Sequence, residues 1–114
     1  MTVAELVPAL GLRVITGQSA LQREVSGGYA ADLLSCVMAR ARAGNVWVTL
    51  QAHANVVAVA SLLGLAAVIV TEGLELDQAT RQKAEAEGVI MLSTPRTTFA
   101  VVAALARLGV TAGE

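Results

Sequence analysis

The chain has 114 residues and a formal net charge of −1, with 55% hydrophobic and 15% charged residues. This length suits one domain with its own core, and the missing basic stripe excludes the electrostatic footprint of a nucleic-acid-binding protein. The apolar excess over an average domain favours a sheet buried on both faces and a subunit interface. We therefore expect one domain over residues 1–114, with its core at about 6–109, that forms a homo-oligomer, most simply a two-fold dimer.

Neither a membrane nor an oxidising compartment is indicated. Cys36 is the only cysteine, so no internal disulfide can form. The first five residues lack the basic region and apolar core of a signal peptide. The apolar run at 56–70 is shorter than the roughly 18 residues that a membrane span needs. We expect a cytoplasmic protein without a membrane partner.

The chain opens with a helix signal. Thr2 and Glu5 form a capping-box pattern ahead of apolar positions that share one helical face, and Gly11 ends the helix. Pro8 removes a backbone donor inside it, so the helix is short or kinked. Residues 12–16 then predict the first strand.

Strands and helices alternate along the rest of the chain. After an extended segment that ends at residues 26–28, the pattern predicts helices at 34–41, 56–63, 78–87 and 101–108 and strands at 46–50, 66–71 and 89–92. Asp77 is placed to cap the helix at 78–87. Val101, Val102, Leu105 and Leu108 mark the inner face of the last helix.

This alternation with short connections indicates a three-layer α/β fold, in which helices flank a mainly parallel sheet on both sides. The residues after Gly109 form a frayed tail. In such sheets, ligands bind outside the carboxyl ends of the strands.

Two blocks carry a family resemblance: residues 27–35 (GGYAADLLS) and residues 46–60 (VWVTLQAHANVVAVA). With them, the chain from about residue 6 to residue 109 resembles the DRTGG-domain family in its small stand-alone form. The resemblance implies a fold like the N-terminal domain of HPr kinase/phosphorylase. Related domains adjoin phosphotransacetylase catalytic domains and lie between the CBS domains of some inorganic pyrophosphatases, which implies a regulatory or assembly role and no reaction.

The chain departs from the pattern that names this family. Where relatives carry an Asp-Arg pair after the central strand, this chain has Ala52 and His53. Where they carry Thr-Gly-Gly, it has Thr71, Glu72 and Gly73. A ligand that relied on that arginine is therefore not carried over to this chain.

Small hydroxyl residues follow four predicted strands, at Thr16, Thr49, Thr71 and the pair Ser93 and Thr94. In a parallel sheet these ends form one rim, toward which the following helices point their N-termini. Such a rim suits a phosphate or carboxylate. The alternative is that these hydroxyls only cap helices and satisfy backbone groups.

Other side chains join this rim in the prediction, each with a structural alternative. His53 is a candidate general base or ligand contact, or else a hydrogen-bonded structural residue. Asp32 is expected to cap the helix that starts near Leu33, and Arg96 offers a positive charge. The candidate ligand-binding residues are Gly27, Gly28, Asp32, Thr49, Gln51, His53, Asn55, Thr71, Glu72, Gly73, Ser93, Thr94 and Arg96.

No catalytic motif, metal-ligand cluster or cofactor fingerprint is present, so we expect no catalytic residue, metal or cofactor. The sequence favours a regulatory or ligand-sensing module that self-associates and takes a small anion, such as a nucleotide, at the rim. One alternative is a structural subunit that binds a protein partner in a larger enzyme or signalling complex. Another is a small phosphoryl- or acyl-transfer enzyme that uses His53 and Asp32.

Overall fold

The computed structural model describes residues 1–112, which contain five strands and five α-helices. The strands are β1 (Arg13–Val14), β2 (Gly27–Ala30), β3 (Asn45–Thr49), β4 (Ala67–Val70) and β5 (Met91–Ser93). The helices are α1 (Val3–Leu10), α2 (Leu34–Arg40), α3 (Ala54–Leu63), α4 (Gln78–Glu87) and α5 (Thr98–Arg107). No helix in this range is long and apolar enough to cross a membrane.

The strands form one sheet in the order β1-β5-β4-β3-β2, in which β2 to β5 are parallel and β1 is antiparallel. This confirms the predicted three-layer α/β fold and the strands predicted at 46–50, 66–71 and 89–92. The predicted capping box is also present, with Thr2 and Glu5 bonding each other's backbone at the start of α1.

Helices cover the sheet on both faces. On one face, α1 and α5 pack on side chains such as Val48 and Ile69. Trp47 and Val68, which precede Val48 and Ile69 along their strands, point to the other face and pack against α2, α3 and α4. All residues of β3 and β4 are buried, as expected for parallel strands between two helical layers. Trp47 is fully buried, and its indole Nε1 donates to the Ala31 carbonyl at 2.9 Å.

The first strand departs from the prediction. It has two residues and runs antiparallel to β5, so Thr16 lies at the amino end of the sheet. The Thr16 hydroxyl donates to the Val89 carbonyl at 2.8 Å and accepts from the Met91 N–H at 3.0 Å. Alternation implies parallel pairing only for strands joined by a helical crossover, and β1 is followed by a 3₁₀ turn at Gln18–Ala20.

Residues 110 and 111 are hydrogen-bonded to the rest of the domain, so the predicted fraying is wrong at these two positions. The Gly28 N–H donates to the Thr111 carbonyl at 2.8 Å, and the Val110 N–H donates to the Leu105 carbonyl at 3.1 Å. The part of the predicted frayed tail at residues 113–114 lies outside the described residues.

The inner face of α5 is also narrower than predicted, because Val102 and Leu108 are exposed.

Gly17 allows the 3₁₀ turn to lie against β5. Its φ is +81°, and a Cβ there would stand 2.7 Å from Ile90 Cγ1 and 2.9 Å from Ile90 Cα. Gly88 has a similar φ of +68°, but a Cβ there would meet nothing within 4 Å. The two positions therefore share the backbone strain and differ in the steric conflict.

We expect Gly17→Ala to lower the free energy of unfolding by about 1–3 kcal/mol more than Gly88→Ala does. Both variants carry the left-handed backbone penalty, and only Gly17→Ala adds overpacking against Ile90. Urea denaturation of the two variants measures the difference. Equal losses would show that the turn does not rest firmly on β5.

Candidate functional site

The carboxyl ends of the three central strands meet at one edge of the sheet. The register pairs Thr49 with Val70, and Val70 with Ser93. Thr71 and Thr94, the next residues along β4 and β5, therefore lie beside Thr49 at this edge. We call it the rim, formed by residues 49–55, 71–73 and 93–98.

Most hydroxyl groups of the rim are already hydrogen-bonded within the chain. Thr49 Oγ1 accepts from the Gln51 N–H at 3.2 Å, and Thr94 Oγ1 accepts from the Arg96 N–H at 3.2 Å. The Thr71 and Thr98 hydroxyls share a hydrogen bond of 2.7 Å. These hydroxyls therefore satisfy local hydrogen-bonding groups of the chain, as the structural alternative predicts.

The prediction that Asp32 caps α2 is wrong, because Leu33 stands at the N-cap without a side-chain hydrogen bond. Asp32 Oδ1 instead accepts from the Thr49 hydroxyl at 2.9 Å and from the Leu50 N–H at 2.9 Å. The carboxylate thus ties the segment after β2 to the end of β3, and it adds negative charge to the rim.

Glu72 occupies the place where an anion was expected. Its backbone is left-handed, with a φ of +63°, and its Oε2 accepts from the Thr98 N–H at 3.0 Å. Thr97 Oγ1 accepts from the Ala100 N–H at 3.1 Å at the same end of α5. Two oxygens of the chain therefore use the donors at this helix N-terminus.

His53 caps α3, with Nδ1 accepting from the Asn55 N–H at 3.2 Å. Both residues are exposed. Within residues 1–112, no hydrogen bond joins His53 to Asp32, whose Oδ1 is used by Thr49 and Leu50. The geometry favours the structural alternative for this histidine and gives no acid–base pair.

Gln51 differs from its neighbours in having an unused polar atom. The side chain is half-buried, and its Oε1 is buried without a hydrogen-bond partner, the one such side-chain atom in the described part of the chain. A buried acceptor without a donor costs about 1–3 kcal/mol. This oxygen is thus the rim acceptor that has no partner within the described part of the chain.

The prediction that Gly27 and Gly28 belong to the rim is wrong. They begin β2 and pair with Asn45 and Val46, at the start of β3. Asn45, the partner of Gly27, precedes Thr49 by four residues on β3. At about 3.3 Å per residue, this is a distance of about 13 Å along the strand. Both glycines therefore lie near the amino end of the sheet.

A cleft adjoins the rim on the β1 side, and sequence reasoning missed its two arginines. It has a volume of about 260 Å³ and is lined by Gly11, Arg13, Ile15, Gly73, Leu74, Glu75, Leu76, Arg81, Ser93, Thr94 and Pro95. Arg13 lines the cleft because β1 pairs Arg13 with Ser93. Arg81 lies on α4, and only the tertiary packing of that helix brings it to the cleft.

Asp77 holds the start of α4, the helix that carries Arg81. The Thr80 N–H donates to Asp77 Oδ1 at 2.8 Å, and the backbone and side chain of Thr80 lower the pKa of this carboxyl below its usual range. The predicted cap is confirmed.

No group of three His, Cys, Asp or Glu side chains that fits a metal ion occurs in residues 1–112.

Comparison with known proteins identifies relatives of this chain. The family model described as the DRTGG domain matches residues 5–108. No curated protein matches. A similar solved structure comprises the CBS and DRTGG domains of the regulatory region of Clostridium perfringens pyrophosphatase, complexed with its activator diadenosine tetraphosphate. The identity is 12% and the TM-score 0.76, over 98% of this chain and 48% of that one. The chain thus spans about half of that regulatory region, and the likeness is one of fold.

If Asp32 is a structural acceptor, Asp32→Ala should lower the free energy of unfolding by about 1–3 kcal/mol, because the buried Thr49 hydroxyl loses its partner. Asp32→Asn keeps an acceptor oxygen and should lose clearly less. Chemical denaturation of both variants measures this. An alanine variant as stable as the unaltered chain would contradict the structural role.

Proposed function

The chain belongs to the DRTGG-domain family, and we propose that it is a non-catalytic regulatory module that self-associates and senses a nucleotide at its rim. The similar pyrophosphatase region is regulatory and is complexed with a nucleotide activator. A sensing role needs a binding site without a reaction, and the rim has polar groups but no acid–base pair.

The observation that carries the ligand proposal is the unpartnered Oε1 of Gln51. Asp32, Glu72, His53 and the rim threonines already form hydrogen bonds within the chain. An oxygen accepts and does not donate, so Gln51 suits the amino group of a base or a sugar hydroxyl. A nucleotide offers both.

The enzyme alternative has less support than the module. Its two residues are engaged elsewhere, with His53 capping α3 and Asp32 bonded to Thr49 and Leu50. The rim also carries the carboxylates of Asp32 and Glu72, which oppose the negative charge that develops in phosphoryl transfer. The alternative of a structural subunit needs no ligand, and binding experiments separate it from the module.

We expect ATP and diadenosine tetraphosphate to stabilise the protein, by about 2.7 kcal/mol at a concentration 100 times the Kd. Gln51→Leu should weaken adenosine and ATP binding at least tenfold, because the acceptor is lost. Gln82→Leu, on the exposed side of α4, is the matched control and should bind normally. Thermal shift and titration calorimetry measure both effects. A chain that no nucleotide stabilises would contradict the sensing role.

The self-association proposal rests on the outer surface of α5. Phe99 is 85% exposed, and Val102 is also exposed on the same helix. Val102 borders a groove of about 350 Å³ between α5 and the edge strand β2, and among residues 1–112 no charged side chain lines this groove. Large exposed apolar patches mark association sites, and a second copy offers the same surface across a two-fold axis.

We expect light scattering to give twice the chain mass at micromolar concentration. Phe99→Glu should shift the protein to monomer, since burying the new carboxylate in an apolar interface is costly. Leu62→Glu is the control, because Leu62 is 70% exposed on α3, in the opposite helical layer. A Phe99→Glu protein that remains a dimer would move the interface away from α5.

A further inference from the structure

The geometry points to a second half of the ligand site: the cleft beside β1 binds the phosphate groups of the nucleotide through Arg13 and Arg81. This inference rests on the proposed nucleotide-sensing function and assigns the anion to a place apart from the helix N-termini. It follows from the charges, the orientation of the two arginines and the size of the cleft.

The balance of charge separates the cleft from the rest of the rim. Beyond the cleft, the rim carries the carboxylates of Asp32 and Glu72, which accept from the Leu50 and Thr98 N–H groups, and one exposed arginine, Arg96. The cleft is lined by two arginines and one carboxylate, Glu75. In residues 1–112 neither arginine forms an ion pair, since Met1 with Glu24 is the one pair there. An anion is therefore attracted to the cleft and repelled by the carboxylates of the rim.

The fold brings both arginines to the same side of the sheet. Val14 packs into the core under α1 and α5, so its neighbour Arg13 faces the opposite side, where α4 lies. Arg13 is paired with Ser93, whose side chain shares that face. Arg81 Nε donates to the Leu76 carbonyl at 3.2 Å. This bond fixes the guanidinium plane, and the two terminal nitrogens can still bind a phosphate in the bidentate manner.

The size of the cleft indicates which part of a ligand it holds. Its volume of about 260 Å³ is below the roughly 300–1,000 Å³ of pockets that enclose a whole small molecule. It suits a phosphate chain with the rest of the ligand outside. Gln51 follows β3, two strands from β5, and two strand spacings amount to about 10 Å. A nucleotide can span that distance, with its phosphates in the cleft and its nucleoside toward Gln51.

Titration calorimetry with sodium tripolyphosphate, ATP and adenosine tests this division. We expect Arg13→Gln and Arg81→Gln each to weaken tripolyphosphate and ATP binding at least tenfold and to leave adenosine binding unchanged. Arg81→Lys, which keeps the charge without the planar fork, should recover only part of the affinity. Arg40→Gln, at an exposed position on α2, removes the same charge elsewhere and should bind within twofold of the unaltered chain.

Circular dichroism checks that each variant is folded. If loss of the hydrogen bond to the Leu76 carbonyl unfolds Arg81→Gln, the binding data for Arg13→Gln decide the question. ATP binding that depends on Gln51 and is unaffected by both arginine variants would overturn the cleft and leave the proposed function standing. Binding of tripolyphosphate without any response to adenosine or Gln51→Leu would support the cleft and overturn the nucleotide-sensing rim. No binding of any probe would overturn both.

Discussion

Two helical layers bury β3 and β4 on both faces, so polar groups at the carboxyl ends of these strands have little access to water. Buried donors and acceptors must then find partners within the chain. The buried Thr49 hydroxyl donates to Asp32 Oδ1, and the buried Thr71 hydroxyl shares a hydrogen bond with the Thr98 hydroxyl. What the sequence presents as a ligand-binding rim is thus largely a set of internal hydrogen bonds. Gln51 Oε1 is distinctive because this constraint leaves it unsatisfied.

Glu72 shows how the departure from the family motif is accommodated. The position is left-handed, which a glycine adopts freely and which costs another residue about 1–2 kcal/mol. A hydrogen bond to a charged group contributes about 1.5–3 kcal/mol, so the bond from the Thr98 N–H offsets the strain. A glycine here would leave that donor open to an external anion. With glutamate, a carboxylate of the chain itself occupies that donor.

The central strands and their helices were predictable because local periodicity and end signals define them. Continuous apolar runs gave β3 and β4, and Asp77 with Gly88 bounded α4. The rim positions of Thr49 and Thr71 followed from parallel pairing. The errors in strand placement depend on long-range pairing, which no local pattern encodes. The register of β2 took Gly27 and Gly28 away from the rim, and the reversed β1 removed Thr16 and brought Arg13 beside Ser93.

A sensor needs an element that its ligand can order, and β1 is the least supported strand of the sheet. It is two residues long and pairs with β5 along one edge alone, although Ile15 and Thr16, which follow it, also donate to the Met91 carbonyl. An anion held between Arg13 and Arg81 links this strand to α4. Val14, the other residue of β1, packs into the core shared by α1 and α5. β1 therefore contributes Arg13 to the lining of the arginine cleft and Val14 to the core beneath α1 and α5.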